Sequence, residues 1–245
     1  MKIALVGYGL MGQKVKELAE LRGHQVIFII DPINPAASHK NINTVNLESI
    51  DLILDFSTGS AVVENLKAAA AASKNILIGA TGWYEHLTVI EKISEENKIG
   101  ILWSANFSIG VNLFYRIVTE AAKLVNQHLQ YDVWGTELHH FNKVDSPSGT
   151  AKEIAKILIE NINHKTKIVY DKLDRKIEPE EIHFSSTRGG PVNFSHTIGF
   201  DSSSDTITLN HSARDRNGYA EGAILAAEWL ADKKGLFNMN DFLNK

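Results

Sequence analysis

The chain has 245 residues, 44% of them hydrophobic and 22% charged, with a formal net charge of -4 and no cysteine. Those values describe an ordinary globular protein, long enough for one large domain or two modest ones. They exclude a nucleic-acid binder held by counterion release, and they exclude disulfides, zinc thiolates and thiol catalysis.

The apolar run that follows Met1 stops at Gly7, too short for a secretory leader. The alanine-rich tract Lys67–Ser73 falls far short of the ~20 residues that cross a bilayer. A cytoplasmic protein with neither membrane nor nucleic-acid partner is the expectation. Lys2–Val6 reads as a strand buried on both faces of a parallel sheet, and a helix follows over Gln13–Leu21. Further apolar strands are predicted at Gln25–Ile30, Leu52–Phe56, Asn75–Ile78 and Gly100–Trp103, with helices at Glu64–Ser73 and Leu87–Asn97. This alternation predicts a doubly wound parallel sheet. The pattern then changes to a helix at Val111–Val125, a half-exposed strand at Tyr131–His139 and a helix at Ser148–Asn161. Period-two segments at Glu181–Ser186, His196–Phe200 and Thr206–His211 predict antiparallel pairing, and Ala220–Ala231 a last helix. The expected fold class is α/β: a Rossmann dinucleotide-binding domain over 1–107 and 216–245, and an α+β substrate domain over 108–215 with a mixed, largely antiparallel sheet.

Gly7-Tyr8-Gly9-Leu10-Met11-Gly12 between strand and helix is the dinucleotide fingerprint, whose glycines allow a tight turn and close approach of a pyrophosphate to the helix end. Asp31 ends the next strand, where a carboxylate binds the ribose diol and repels a 2′-phosphate. It therefore favours NADH, although His39 and Lys40 nearby leave NADPH open. Three other strand ends carry small polar turns: Asp55-Phe56-Ser57-Thr58, Gly79-Ala80-Thr81-Gly82 and Ser104-Ala105-Asn106-Phe107. On one sheet edge they form a candidate cofactor cleft.

The densest chemistry lies between Glu137 and Thr150. His139, His140 and Lys143 gather proton-transfer and anion-attracting groups at a strand end, and Ser148-Gly149-Thr150 opens a helix whose free N–H groups suit a carboxylate. The adjacent histidines point to opposite faces of a strand, so no metal is expected there.

The run from Glu137 to Ala151 resembles the signature of the 4-hydroxy-tetrahydrodipicolinate reductase (dihydrodipicolinate reductase) family. The likeness extends along the chain through the glycine fingerprint, Asp55-Phe56-Ser57, Gly79-Ala80-Thr81-Gly82, Ala105-Asn106-Phe107-Ser108, Arg188 with Gly190 and His196, and His211 with Ala213, Arg216, Tyr219-Ala220 and Gly222-Ala223. It continues to the ending Gly235-Leu236-Phe237 with Met239. The resemblance implies that His139 is the acid/base residue and Lys143 the proton donor, that His140 contacts substrate, and that Gly149 and Thr150 hold a substrate carboxylate. It assigns Gly7, Tyr8, Gly9, Leu10, Met11, Gly12, Asp31, Gly79, Ala80, Thr81, Ser104, Ala105, Asn106 and Phe107 to NADH or NADPH. It further implies reduction of a small cyclic dicarboxylate in lysine biosynthesis through diaminopimelate, closure of two domains, and a homotetramer assembled through the second domain. Three departures stand out: Ala80 replaces a hydroxyl residue, the glycine loop is one residue shorter than in longer members, and Phe194 stands where the family has glycine two residues before His196. The last is expected to bear on backbone or subunit packing. The rivals are another two-domain Rossmann dehydrogenase, which has no need of the Pro-Ser-Gly-Thr turn, and a non-catalytic NADH-sensing regulator, for which no basic recognition helix is evident.

Overall fold

The computed structural model describes residues 1–244; Lys245, the end of the predicted first domain, lies outside the described residues. In chain order the elements are β1 (Lys2–Val6), α1 (Leu10–Leu21), β2 (Gln25–Ile30), β3 (Leu52–Asp55), α2 (Gly59–Ala71), β4 (Asn75–Ile78), α3 (Leu87–Asn97) and β5 (Gly100–Trp103). There follow α4 (Ile109–Val125), β6 (Asp132–His139), α5 (Gly149–Asn161), β7 (Lys167–Val169), β8 (Glu181–Arg188), β9 (Phe194–Asp201), β10 (Thr206–Ala213), α6 (Asn217–Leu230), β11 (Gly235–Asn238) and α7 (Met239–Leu243). They divide into two compact units, Met1–Ile109 with Asn217–Lys245, and Gly110–Arg216.

The first unit is built on a six-stranded sheet in the order β11-β5-β4-β3-β1-β2, parallel throughout. Its strands read as unbroken apolar runs because alternate residues feed two different cores. In β3, Ile53 packs into one cluster with Val62, Leu66 and Ile90, while Leu52 and Leu54 join the other with Val15, Ala223 and Ile224. Helix α1 begins at Leu10, three residues ahead of the expectation, so the glycine fingerprint runs into its first turn.

The sixth strand, β11, is an addition to the expected alternation. Its four residues are all half-buried at the sheet edge and carry no period to read. Asn75, buried in β4, ties this edge down. Its Nδ2 donates to the carbonyls of Leu230 at 2.8 Å, Ala231 at 3.1 Å and Lys233 at 3.1 Å, and its Oδ1 accepts from Gly100 N–H at 2.7 Å.

The second unit carries a five-stranded sheet in the order β10-β9-β6-β8-β7. The β10–β9 and β9–β6 pairs are antiparallel, but β6–β8 and β7–β8 are parallel. This corrects the expectation of antiparallel pairing through the whole segment: period two reports that one face is covered, not which way the neighbour runs. Phe114, Val118 and Ala122 of α4 and Ile154, Ala155 and Leu158 of α5 pack with Val133, Ile182, Phe184, Ile198 and Phe200 of the sheet. Strands β8, β9 and β10 extend to Arg188, back to Phe194 and on to Ala213, beyond the predicted Ser186, His196 and His211.

Removing the Asn75 side chain strips partners from three carbonyls and one N–H at once. Asn75→Ala should lower unfolding stability by about 2–4 kcal/mol in urea titration. A loss near zero contradicts the assigned role.

Candidate active site

At the end of β1 the three fingerprint glycines have separate duties. Gly7 sits at φ +86°, and a Cβ there would stand 2.3 Å from the Phe56 carbonyl oxygen; one at Gly12 would stand 2.1 Å from the carbonyl oxygen of Gly7. A Cβ at Gly9 meets nothing within 4 Å. Gly9 is the N-cap of α1, and no side chain caps that helix. Two glycines are thus demanded by packing, and the third leaves open backbone before uncapped helix N–H groups. This cradle fits the pyrophosphate of a dinucleotide.

Asp31 closes the same corner. Its Oδ2 accepts the Tyr8 N–H at 2.8 Å, and its Oδ1 accepts those of Ile33 at 2.9 Å and Asn34 at 2.8 Å. Burial pushes its carboxyl up, but the three backbone donors outweigh that and hold it below the ordinary carboxylate range. It is therefore a fixed negative charge beside the glycine loop.

The remaining predicted cofactor residues separate by exposure. Leu10, Thr81 and Ala105 are exposed, and Tyr8, Met11, Gly79, Ser104 and Asn106 are half-buried. Ala80 is buried, its carbonyl accepting from Trp83 Nε1 at 2.8 Å. Phe107 is wholly buried in the core with Phe56 and Tyr219 around it. The side chain of Phe107 is a packing element.

In the second unit the chemistry is arranged in two cross-strand rows. Register pairs align Ala213, Phe194, His139 and Arg188 in one row, and His211, His196, Glu137 and Ser186 in the next. Two residues further along the same face the row is Leu209, Ile198, Gly135 and Phe184. The face changes from apolar core to polar site in one step of the pleat.

Glu137, 1% exposed, is the centre of that site. Its Oε1 accepts from Ser186 Oγ at 2.8 Å, Arg188 Nη2 at 2.9 Å and the Ser148 N–H at 3.1 Å. Its Oε2 lies at ion-pair distance from His139 Nε2, 3.3 Å, and His196 Nε2, 3.4 Å. Burial pushes the Glu137 carboxyl up, but the surrounding donors hold it far below the ordinary carboxylate range. Burial also lowers the imidazoles of His196 and His211, against the pull of Glu137 on the former. Ser148 links the cluster to α5: its Oγ accepts the Ala151 N–H at 3.1 Å and lies 3.3 Å from His196 Nε2.

The structure brings His139 to this cluster and leaves His140, which follows the strand's last residue, outside it. Lys143 is engaged within its own loop, with Nζ 2.6 Å from Asp145 Oδ1, while Arg188 Nη2 donates to the Asp145 carbonyl at 2.6 Å. At the start of α5, Gly149 is exposed and Thr150 lies beside the Tyr115 hydroxyl, which burial pushes up to about 12.

Sequence reading missed Glu137 and His196 as site residues. The signal for Glu137 was its spacing of two from His139, which puts both on one face of a strand. The adjacent pair His139 and His140 does not gather, but ligand atoms of Glu137, His139 and His196 lie within 4.8 Å of one another, a donor set that suits a divalent cation. Arg188 on the same carboxylate supplies positive charge already.

Both kinds of shift have one sign for stability. An imidazole or carboxyl whose folded pKa is lowered binds more protons in the unfolded chain, so its contribution is complete above the unfolded value and is lost as pH falls. The loss begins below about 6.5 with His196 and His211, and continues below about 4.5 with Glu137. Urea midpoints should therefore decline from neutral pH downward, and His196→Gln should flatten the first part of the decline. An unchanged slope in that variant contradicts the assignment.

The family model "Dihydrodipicolinate reductase, N-terminus" matches residues 1–107, and "Dihydrodipicolinate reductase, C-terminus" matches residues 110–243. The 4-hydroxy-tetrahydrodipicolinate reductase of Christiangramia forsetii is 34% identical over 244 residues, covering 100% of this chain and 98% of that protein. The protein of the same name from Methanoregula boonei is 37% identical over 194 residues, covering 79% of this chain and 74% of the other. Among solved structures, the dipicolinate-bound dihydrodipicolinate reductase from Paenisporosarcina sp. TG-14 shares the fold with a TM-score of 0.80 at 23% identity, covering 97% of each chain. The two family models together span nearly all of the sequence, and the chain belongs to the dihydrodipicolinate reductase family.

Proposed function

We propose that this chain reduces 4-hydroxy-tetrahydrodipicolinate to tetrahydrodipicolinate with a nicotinamide dinucleotide, in lysine biosynthesis by way of diaminopimelate. The observation that carries the reading is end-to-end likeness to relatives bearing that reaction's name, joined to a buried carboxylate holding His139 at the end of β6. A nicotinamide dinucleotide, which Gly7, Gly9, Gly12 and Asp31 would hold, would supply the hydride for C4 of the ring; all else falls to the protein.

The substrate carries two carboxylates. The N-terminal turn of α5 offers its backbone N–H groups at Gly149 and Thr150, and Gly149 has open space where a side chain would stand. His140 and Lys143 add donors to the same anion. Reduction leaves an enamine that must take up a proton, and His139 supplies it. Its Nε2 faces the Glu137 carboxylate, so Nδ1 is the nitrogen left to exchange with substrate. Glu137 stabilises the charged ring before the proton leaves, as a carboxylate does for the imidazolium of a hydrolase triad. Lys143, released from Asp145, holds the substrate anion and assists proton delivery. NADH is the favoured cofactor, because a fixed Asp31 charge repels a 2′-phosphate.

A homotetramer joined through the second unit's sheet is the proposed assembly. The sheet face opposite the site supports this: Trp134 is 37% exposed there, among the hydroxyls of Thr136, Ser185 and Ser195.

The test is NADH oxidation on freshly generated dihydrodipicolinate. His139→Gln should lower kcat by about 10²-fold or more, and Lys143→Ala should raise KM by about tenfold as well as slowing turnover. Full rate in both variants, or an inactive parent, sinks the reading. A clear preference for NADPH in the same assay refutes the role given to Asp31.

A further inference from the structure

We propose that Phe194 is a positioning residue for His139, closing one face of its imidazole; the inference rests on the proton-transfer role proposed for His139. The two residues are direct register partners on β9 and β6. Their rings stack, with centroids 5.6 Å apart and planes 24° from parallel.

Phe194 is itself held from behind. Its ring lies 5.9 Å from that of His211 at 31°, and His211 lies 5.7 Å from Phe114 of α4 at 33°. The four rings form a continuous row from helix α4 across β10 and β9 to His139, stacked at the His139 end and tilted at the other two contacts. Phe194 also meets His196 at 5.8 Å and 62°, so both imidazoles beside Glu137 touch it. It is half-buried at the first position of β9 and is no part of the apolar cluster that forms the core of this unit. Its neighbours are the polar site, not the core.

This arrangement supplies what Glu137 alone cannot. A carboxylate at one edge fixes where Nε2 lies, but the terminal torsion of a histidine is broad, and the ring can still rock about it. An aromatic face packed against the imidazole removes that freedom and fixes the direction of Nδ1. Orientation of this kind acts on turnover more than on substrate binding. To the expectation from sequence, that Phe194 bears on backbone or subunit packing, this adds that the side chain lies against the proposed proton donor.

Three variants test the proposal in the NADH assay: Phe194→Tyr keeps the ring, Phe194→Leu keeps apolar volume without it, and Phe194→Gly removes both. Phe194→Leu and Phe194→Gly should lose about tenfold or more in kcat with KM within about twofold of the parent, while Phe194→Tyr stays within about twofold in both. Nuclear magnetic resonance gives an independent readout: the Cε1–H resonance of His139 should move downfield when the stacked ring is lost and stay in place in Phe194→Tyr. The loss must also vanish in a His139→Gln background, because the effect acts through that ring. Parent-like kcat in Phe194→Leu and Phe194→Gly, an equal loss in Phe194→Tyr, or an undiminished loss in the His139→Gln background overturns the proposal. A fully active His139→Gln marks instead the failure of the reading beneath it.

Discussion

A buried carboxylate is the constraint around which the second unit is organised. Glu137 is withdrawn from water at a cost no single partner offsets, so it is tolerated only where several donors converge. They come from different elements: Ser186 and Arg188 from β8 and the Ser148 N–H from the entrance to α5, with His196 of β9 and His139 of its own strand at ion-pair distance. A slip of one residue in β6 would turn Glu137 to the opposite face and leave Arg188 without its partner. The register that builds the site is thus also the register the charge enforces.

The same alternation makes core and site from one surface. Gly135 and Glu137 are successive inward positions of β6. At the first, Phe184 fills the space a side chain would need: a Cβ on Gly135 would stand only 2.4 Å from its ring. At the second, the neighbouring strands offer Ser186 and His196 in place of Phe184 and Ile198. The apolar rows give the polar rows a rigid footing, and Ser148 couples them to the helix terminus that faces outward at Gly149. The buried histidine–carboxylate cluster and the N-terminal turn of α5 therefore share one hydrogen-bonded frame.

What was legible in the sequence follows from distance along the chain. The glycine fingerprint and Asp31 are local, and each glycine does what its type permits. The strands of the first unit were readable because burial on both faces leaves an uninterrupted apolar run. The direction of β7 and β8 was not, since period two is common to both pairings, and β11 had too little pattern to show. In the site, His139 and Lys143 stood out as a dense local cluster, whereas the partners of Glu137 lie 49 and 51 residues away on β8. No local pattern predicts them. The departure at Phe194 was weighed as a matter of backbone or subunit packing, and its contact with the His139 ring was not read. Its spacing of two from His196 places both side chains on one face, and that signal was available.

The charges of the site pair off in two unequal ways. Arg188 with Glu137, whose side chain is fully buried, forms a pair that cannot be separated without stranding a charge away from water. Lys143 with Asp145 is different: the aspartate side chain is 57% exposed, and water can take over the solvation of its carboxylate. The two pairs are joined through the Arg188 donor to the Asp145 carbonyl, which fixes the loop backbone while leaving the Asp145 side chain exposed to solvent. An incoming anion can therefore draw Lys143 from Asp145 at little cost, but it cannot draw Arg188 from Glu137. Burial, more than residue type, decides which cation serves structure and which is available to a ligand.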